Sequence, residues 1–192
     1  LAAAGGPTAV TFSATESHII AAATDDGSLH IWDLRESRGL HLDADALELD
    51  VRCGIRRPTY STNGFSLERC VHVGRIESLI SIGTAAIRGN GLDHVQLRSG
   101  SSQFAALDEH GVLSFWITTA ASEKHQDDVA LNIGGRVRLI STKVLNLENV
   151  PSTVPSDPFA HAGGLASCYR AVAVSNAQPD TFLVGSGGGA VL

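Results

Sequence analysis

Residues 25–33 read Asp25-Asp26-Gly27-Ser28-Leu29-His30-Ile31-Trp32-Asp33. Asp26-Gly27 supplies the positive φ that a tight hairpin turn requires. After the turn, apolar and polar residues alternate up to Trp32, the period-2 signature of a strand. Before it, 19–23 is a short apolar strand of Ile and Ala, and Ala9-Val10-Thr11-Phe12 alternates ahead of a polar turn. The stretch therefore predicts a three-stranded antiparallel meander, with room for a fourth strand behind it.

The pattern recurs. An offset of 84 pairs Ile20 with Phe104, Gly27 with Gly111, Leu29 with Leu113 and Trp32 with Trp116. An offset of 162 pairs Val10 with Val172, Ser13 with Ser175, Ile20 with Phe182 and Gly27 with Gly189. His110-Gly111 takes the place of Asp26-Gly27. Fourth strands are expected at 59–62, ahead of Asn63-Gly64, and at 136–140; residues 76–82 then open the second unit. The spacing between units exceeds the ~40–45 residues of a plain propeller repeat. The surplus falls in inserts at 36–57, 83–101, 118–133 and 145–164, the last rich in Pro and Gly and expected as loop. An extra divergent unit in each gap would need a second turn-plus-Trp signal, which neither gap holds.

Composition narrows the function classes. The chain has 192 residues, 43% hydrophobic and 18% charged, the profile of a packed domain. Its net charge of −6 argues against a broad nucleic-acid or anionic-membrane surface. No apolar run approaches the ~18 residues of a membrane-spanning helix. Cys53, Cys70 and Cys168 are dispersed and odd in number, which fits a reducing compartment and no zinc site. The first residue is Leu1 and the chain contains no Met, so we expect a piece of a longer protein, with further units beyond Leu192.

Catalytic constellations are not expected. Gly185-Ser186-Gly187-Gly188-Gly189 lacks the Gly-Lys-Ser/Thr of a phosphate loop, and the repeat alignment explains it as a hairpin turn. The acids Asp25-Asp26 and Asp108-Glu109, with His94 and His110, read as turn residues. Trp32 and Trp116 fall on the inward side of the alternation and should pack between neighbouring units. The small residues 21–23, Ala105 and Ala106 are expected to line a central channel. No cofactor or metal is implied, and an enzyme is not.

The grammar of Asp26, Gly27, Trp32 and Asp33, repeated at Asp108, Gly111, Trp116 and Gly189, resembles WD repeats, the units of β-propellers. The resemblance implies an all-β fold: a partial WD-repeat β-propeller of about two and a half four-stranded blades with long inserted loops. Blade one would span about 9–68 and blade two about 76–142. A loop of about 145–166 would lead to the start of blade three at about 170–192. No Gly-His pair precedes the first unit, so the family's hydrogen-bonded tetrad is expected to be incomplete in every unit.

Four segments go further. Trp32-Asp33-Leu34-Arg35-Glu36-Ser37-Arg38, Thr59-Tyr60-Ser61-Thr62-Asn63-Gly64, the strand pair from Phe104 to Trp116, and Gly134-Gly135-Arg136-Val137-Arg138-Leu139-Ile140 resemble, in order and spacing, segments of the dynein intermediate chains, the WD-repeat intermediate chain of cytoplasmic dynein-2 in particular. That resemblance implies a non-catalytic subunit whose propeller binds the tail of a dynein heavy chain for retrograde intraflagellar transport. Its partners would be that heavy chain, a second intermediate chain, light chains and the transport train, with no nucleic acid and no membrane insertion. It would work in the cilium or flagellum and the cytoplasm, associated with the cytoskeleton. Arg35, Arg52, Arg56 and Arg57 are the candidate partner-binding residues. Trp32-Asp33-Leu34-Arg35 also fits the WDxR box of propeller substrate receptors for cullin ubiquitin ligases, the alternative reading.

Overall fold

A computed structural model describes residues 3–36, 56–66, 68–83, 101–122, 128–149, 169–175, 181–187 and 191. The described residues are all-β, with two short 3₁₀ turns. The first sheet contains β1 (Pro7–Phe12), β2 (Ile19–Thr24), β3 (Leu29–Asp33) and β4 (Tyr60–Ser61), antiparallel and in sequence order. The second contains β5 (Ile76–Ile82), β6 (Gln103–Asp108), β7 (Val112–Ala120) and β8 (Val137–Asn146), in the same order. A hairpin of β9 (Tyr169–Val174) and β10 (Phe182–Ser186) follows.

The turns behave as their residues dictate. Gly27 and Gly111 take φ of +82° and +79°, which an L side chain adopts only at a cost. At Gly27 a Cβ would also sit 2.7 Å from the His72 carbonyl oxygen, so the turn is packed as well as strained. β5 forms over the expected 76–82. Two fourth strands differ from expectation. β4 keeps only two residues, because Thr62–Gly64 turn into a 3₁₀ helix capped by the Ser61 side chain. β8 continues past Ile140 to Asn146, taking residues expected as loop, because β7 also runs on to Ala120 and gives it a partner throughout.

Sheets meet face to face. The side of the first sheet carrying Ile19, Ala21, Leu29 and Ile31 packs on the side of the second carrying Leu79, Phe104, Ala106 and Trp116. The opposite side of the second sheet, Ala105, Leu107 and Leu113, packs on Tyr169, Val172 and Val184. First strands sit against one another, β1 on β5 and β5 on β9. Residues 21–23, Ala105 and Ala106 thus lie buried on second strands inside the sheets, and do not line an open channel as expected. Alternation identifies a strand's faces but not its place in the sheet.

Pairing places Val10 opposite Ala22, Leu79 opposite Ala106 and Val172 opposite Val184, the same position in three successive sheets. Leu79 and Val172, which each have a sheet before them, are 7% and 6% exposed; Val10 is 66% exposed, and Phe12 on the same side 62%. On that side of the first sheet the exposure is confined to β1, since Ile20, Ala22 and Trp32 behind it are buried.

Candidate functional site

A chain of four polar side chains is buried in the second sheet. Trp116 Nε1 donates to Ser114 Oγ at 2.6 Å, Ser114 Oγ lies 2.5 Å from His72 Nε2, and His72 Nδ1 lies 2.9 Å from Asp108 Oδ2. Asp108 Oδ1 takes the backbone N–H groups of His110 and Val112 at 3.0 and 2.9 Å, which closes the β6–β7 turn. An indole N–H only donates and a carboxylate only accepts, so one direction satisfies every member. Trp116 donates to Ser114, Ser114 to His72, and His72 through Nδ1–H to Asp108. All four are buried.

This corrects the expectation that no unit completes its tetrad. His72 stands in Val71-His72-Val73-Gly74, two residues ahead of a glycine instead of directly behind one. That His-x-Gly ahead of the β5 strand is the signal that would have found it. The connectivity Asp–His–Ser also occurs in acyl-transfer enzymes, but a nucleophile must reach its substrate. Ser114 is fully buried, and its hydroxyl already bonds both His72 and Trp116. The group is built to hold strands together.

The first sheet solves the same position differently. Register places His30 where the second sheet has Ser114. Its Nδ1 meets Ser61 Oγ at 2.9 Å and its ring lies 6.0 Å from that of Trp32. Burial lowers its pKa below the usual histidine value, against an opposing backbone contact at Ala4 and the charge of Asp26. Asp26 closes its own turn through Thr24 Oγ1 at 2.5 Å and Ser28 N at 3.0 Å. Burial would raise its carboxyl, but those bonds hold it below the ordinary value.

A second polar group lies at the end of β3. Asp33 accepts Arg35 Nε and Nη2 at 3.1 and 2.9 Å, and Arg35 N at 2.9 Å. Burial pushes the Asp33 carboxyl up, yet these bonds and the arginine charge bring it below its usual range. Arg35 is raised in turn, its hydrogen bond to Asp33 being the largest cause. Arg56 donates to the backbone oxygens of Asp33 and Glu36, and its own carbonyl accepts Trp32 Nε1 at 3.1 Å. Buried Glu36 accepts Thr59 Oγ1 at 2.7 Å and Arg136 N at 2.7 Å, tying the first sheet to the start of β8.

Of the four candidate partner-binding arginines, the structure therefore ties Arg56 into the fold and leaves Arg35 exposed over its bidentate contact. Arg57 is half-buried at the mouth of a cleft with His30, Ser61 and Asn63. Arg52 lies outside the described residues, as do Gly189, His94, Cys53 and Cys168. Among the described residues, no group of three His, Cys, Asp or Glu side chains is placed to hold a metal, and no helix is long and apolar enough to cross a membrane.

The class these observations define is an all-β chain of four-stranded antiparallel meanders stacked face to face, with polar networks locking the strands. No family model matches it. It is weakly homologous to cytoplasmic dynein 2 intermediate chain 1, at 27% identity over 191 residues with the mouse protein (Mus musculus) and 26% over 166 residues with the human one (Homo sapiens). These alignments cover 93% and 81% of this chain, but only 18% and 14% of the relatives. The chain thus spans less than a fifth of the proteins it resembles.

Proposed function

We propose that this chain is part of a WD-repeat β-propeller in an intermediate chain of the cytoplasmic dynein-2 motor. The observation that carries the reading is the similarity to two dynein 2 intermediate chains across nearly the whole chain. The repeated meander and the buried Trp116–Ser114–His72–Asp108 group support the propeller. Blade one is the unit of about 9–68, blade two that of about 76–142, and the third begins at about 170. Asp26, Gly27, Trp32, Asp33, Asp108, Gly111, Trp116 and Gly189 are its structural positions.

In this reading the subunit does no chemistry. Its blades form a rigid body that presents loops to the tail of a heavy chain. A second intermediate chain and light chains complete the motor, which carries retrograde intraflagellar transport trains. Rigid sheets displaying variable loops suit such work, because recognition residues sit on loops held by a scaffold. The test is affinity purification of the full-length protein from ciliated cells with mass spectrometry. Recovery of a dynein-2 heavy chain with light chains is the expected result. Recovery of a cullin adaptor without dynein chains would overturn it in favour of a ligase receptor.

A further inference from the structure

The second sheet ends on β8, whose outer edge has no partner among the described strands. Its residues 140–144, Ile-Ser-Thr-Lys-Val, are all exposed. Register jumps at Thr142, between Ser141 opposite Trp116 and Lys143 opposite Phe115. A bulge and a lysine on an edge discourage two such strands from pairing with each other. They do not account for what lies beside the edge.

There, Leu139, Ile140 and Ser141 form one wall of a cleft of about 290 Å³, and Phe65, Arg69 and Val71 form part of the other. Its charge is unbalanced. The Asp128 carboxylate is held by Arg138, with Nε at 3.0 Å and Nη2 at 2.8 Å. Arg69 is exposed, its guanidinium 4.3 Å over the Phe65 ring. Its charge acts on Asp128, but that carboxylate's ion pair is to Arg138, and among the described residues no carboxylate lies within ion-pair distance of Arg69 itself. Stacking on a ring fixes a guanidinium while leaving its in-plane N–H groups free to grip a carboxylate in bidentate fashion. Lys143, farther along the same edge, adds a second exposed cation.

We propose that the β8 edge and Arg69 together form a docking site for an extended peptide segment of a partner protein, one that alternates acidic and apolar residues. The segment adds as a fifth strand to the second sheet. Its backbone pairs with β8, one carboxylate meets Arg69, and an apolar side chain enters the cleft beside Ile140, the division of labour of strand-addition sites. The unpaired strand edge favours a peptide over nucleic acid or a membrane at the same patch, because only a peptide backbone offers the alternating donors and acceptors that pair with it.

The test uses the full-length protein and a fluorescent Asp-Val-Asp-Val-Asp-Val peptide, read by anisotropy and by hydrogen exchange. Saturable binding that slows exchange of the β8 amides is expected. The Asn-Val counterpart should bind about ten-fold more weakly, as should the Arg69→Glu and Arg69→Gln variants, the loss of one charge-assisted pair. Because Arg69 is exposed, neither variant threatens folding. A peptide N-methylated on the pairing edge should not bind. No binding, binding indifferent to Arg69, equal binding of the N-methylated peptide, or unchanged exchange in β8 would each overturn the proposal. So would binding of phosphatidylserine vesicles with the same Arg69 dependence and none of the peptide.

Discussion

Replacing His72 by alanine removes the middle of the buried chain. Its imidazole bonds Asp108 at 2.9 Å and Ser114 at 2.5 Å, and all three side chains are out of water. Asp108 keeps its two backbone donors on Oδ1, but Oδ2 loses the imidazole in a buried carboxylate. An unsatisfied buried group costs ~1–3 kcal/mol, more when charged. The lost imidazole leaves a void besides, and large-to-small core changes cost ~2–5 kcal/mol. We expect His72→Ala to destabilise by about 3–5 kcal/mol. Ser114→Ala removes one oxygen and should cost about 1–3 kcal/mol. The double variant should cost less than the sum, since both act on one network. Urea unfolding of the full-length protein measures the total, and hydrogen exchange over β6 and β7 localises it. A His72→Ala protein within about 0.5 kcal/mol of the parent, with unchanged exchange there, would refute the view that this group locks the sheet.

Trp32→Ala should cost about 3–5 kcal/mol by the same denaturation, as large-to-small core changes do; Arg35→Ala, which strips the buried Asp33 carboxylate of its two guanidinium donors but keeps a backbone one, should cost less, about 1–3 kcal/mol. Gly27→Ala should lose about 1–3 kcal/mol from the positive φ alone, and more from contact with the His72 carbonyl; an unchanged melting temperature would contradict the packed turn. Asp26, Asp33 and Asp128 are all lowered from 3.8. In each, burial opposes the shift, and hydrogen bonds from Thr24, Arg35 and Arg138 respectively lead the causes that outweigh it. A depressed carboxylate stabilises above its unfolded value and loses that contribution as pH falls through the folded one. Melting temperature should therefore hold near neutrality and fall below pH ~4. Asp128→Asn, lacking the titrating group, should show a shallower fall; an identical pH profile would count against the Arg138 pair. Tyr60, raised to about 12 mainly by burial and then by the charge of Asp128, should remain protonated in a spectrophotometric titration to pH 10.

Local chemistry carried much of the architecture. Asp26-Gly27 and His110-Gly111 demand a positive φ, and alternation on either side has no other stable use than paired strands, so both central hairpins follow from short windows. Ile76–Ile82 was legible for the same reason, as a period-2 run bounded by turn residues. The fourth strands were legible only in place. How far an outer strand runs depends on the partner it finds, and β8 lengthens to Asn146 because β7 supplies one.

Tertiary structure decided what no window contains. His72 lies 36 residues from Asp108 and 42 from Ser114, and Glu36 lies 100 from Arg136. Such partners meet only after the sheets form, so neither the locking network nor the sheet-to-sheet clamp has a local pattern. Arg56, read from sequence as a candidate contact for a partner, ends bonded to the chain's own carbonyls because the strand-end oxygens of Asp33 and Glu36 need donors. The alanines of β2 and β6 were identifiable as small and apolar, yet whether such a strand borders a channel or lies inside the sheet depends on which strands flank it. Sequence alone determined the period, the turns and the repeat, because backbone sterics and side-chain alternation act over a few residues. Folding decided the buried polar partners and the covered faces, because hydrogen bonding and desolvation act between whichever atoms the finished packing brings together.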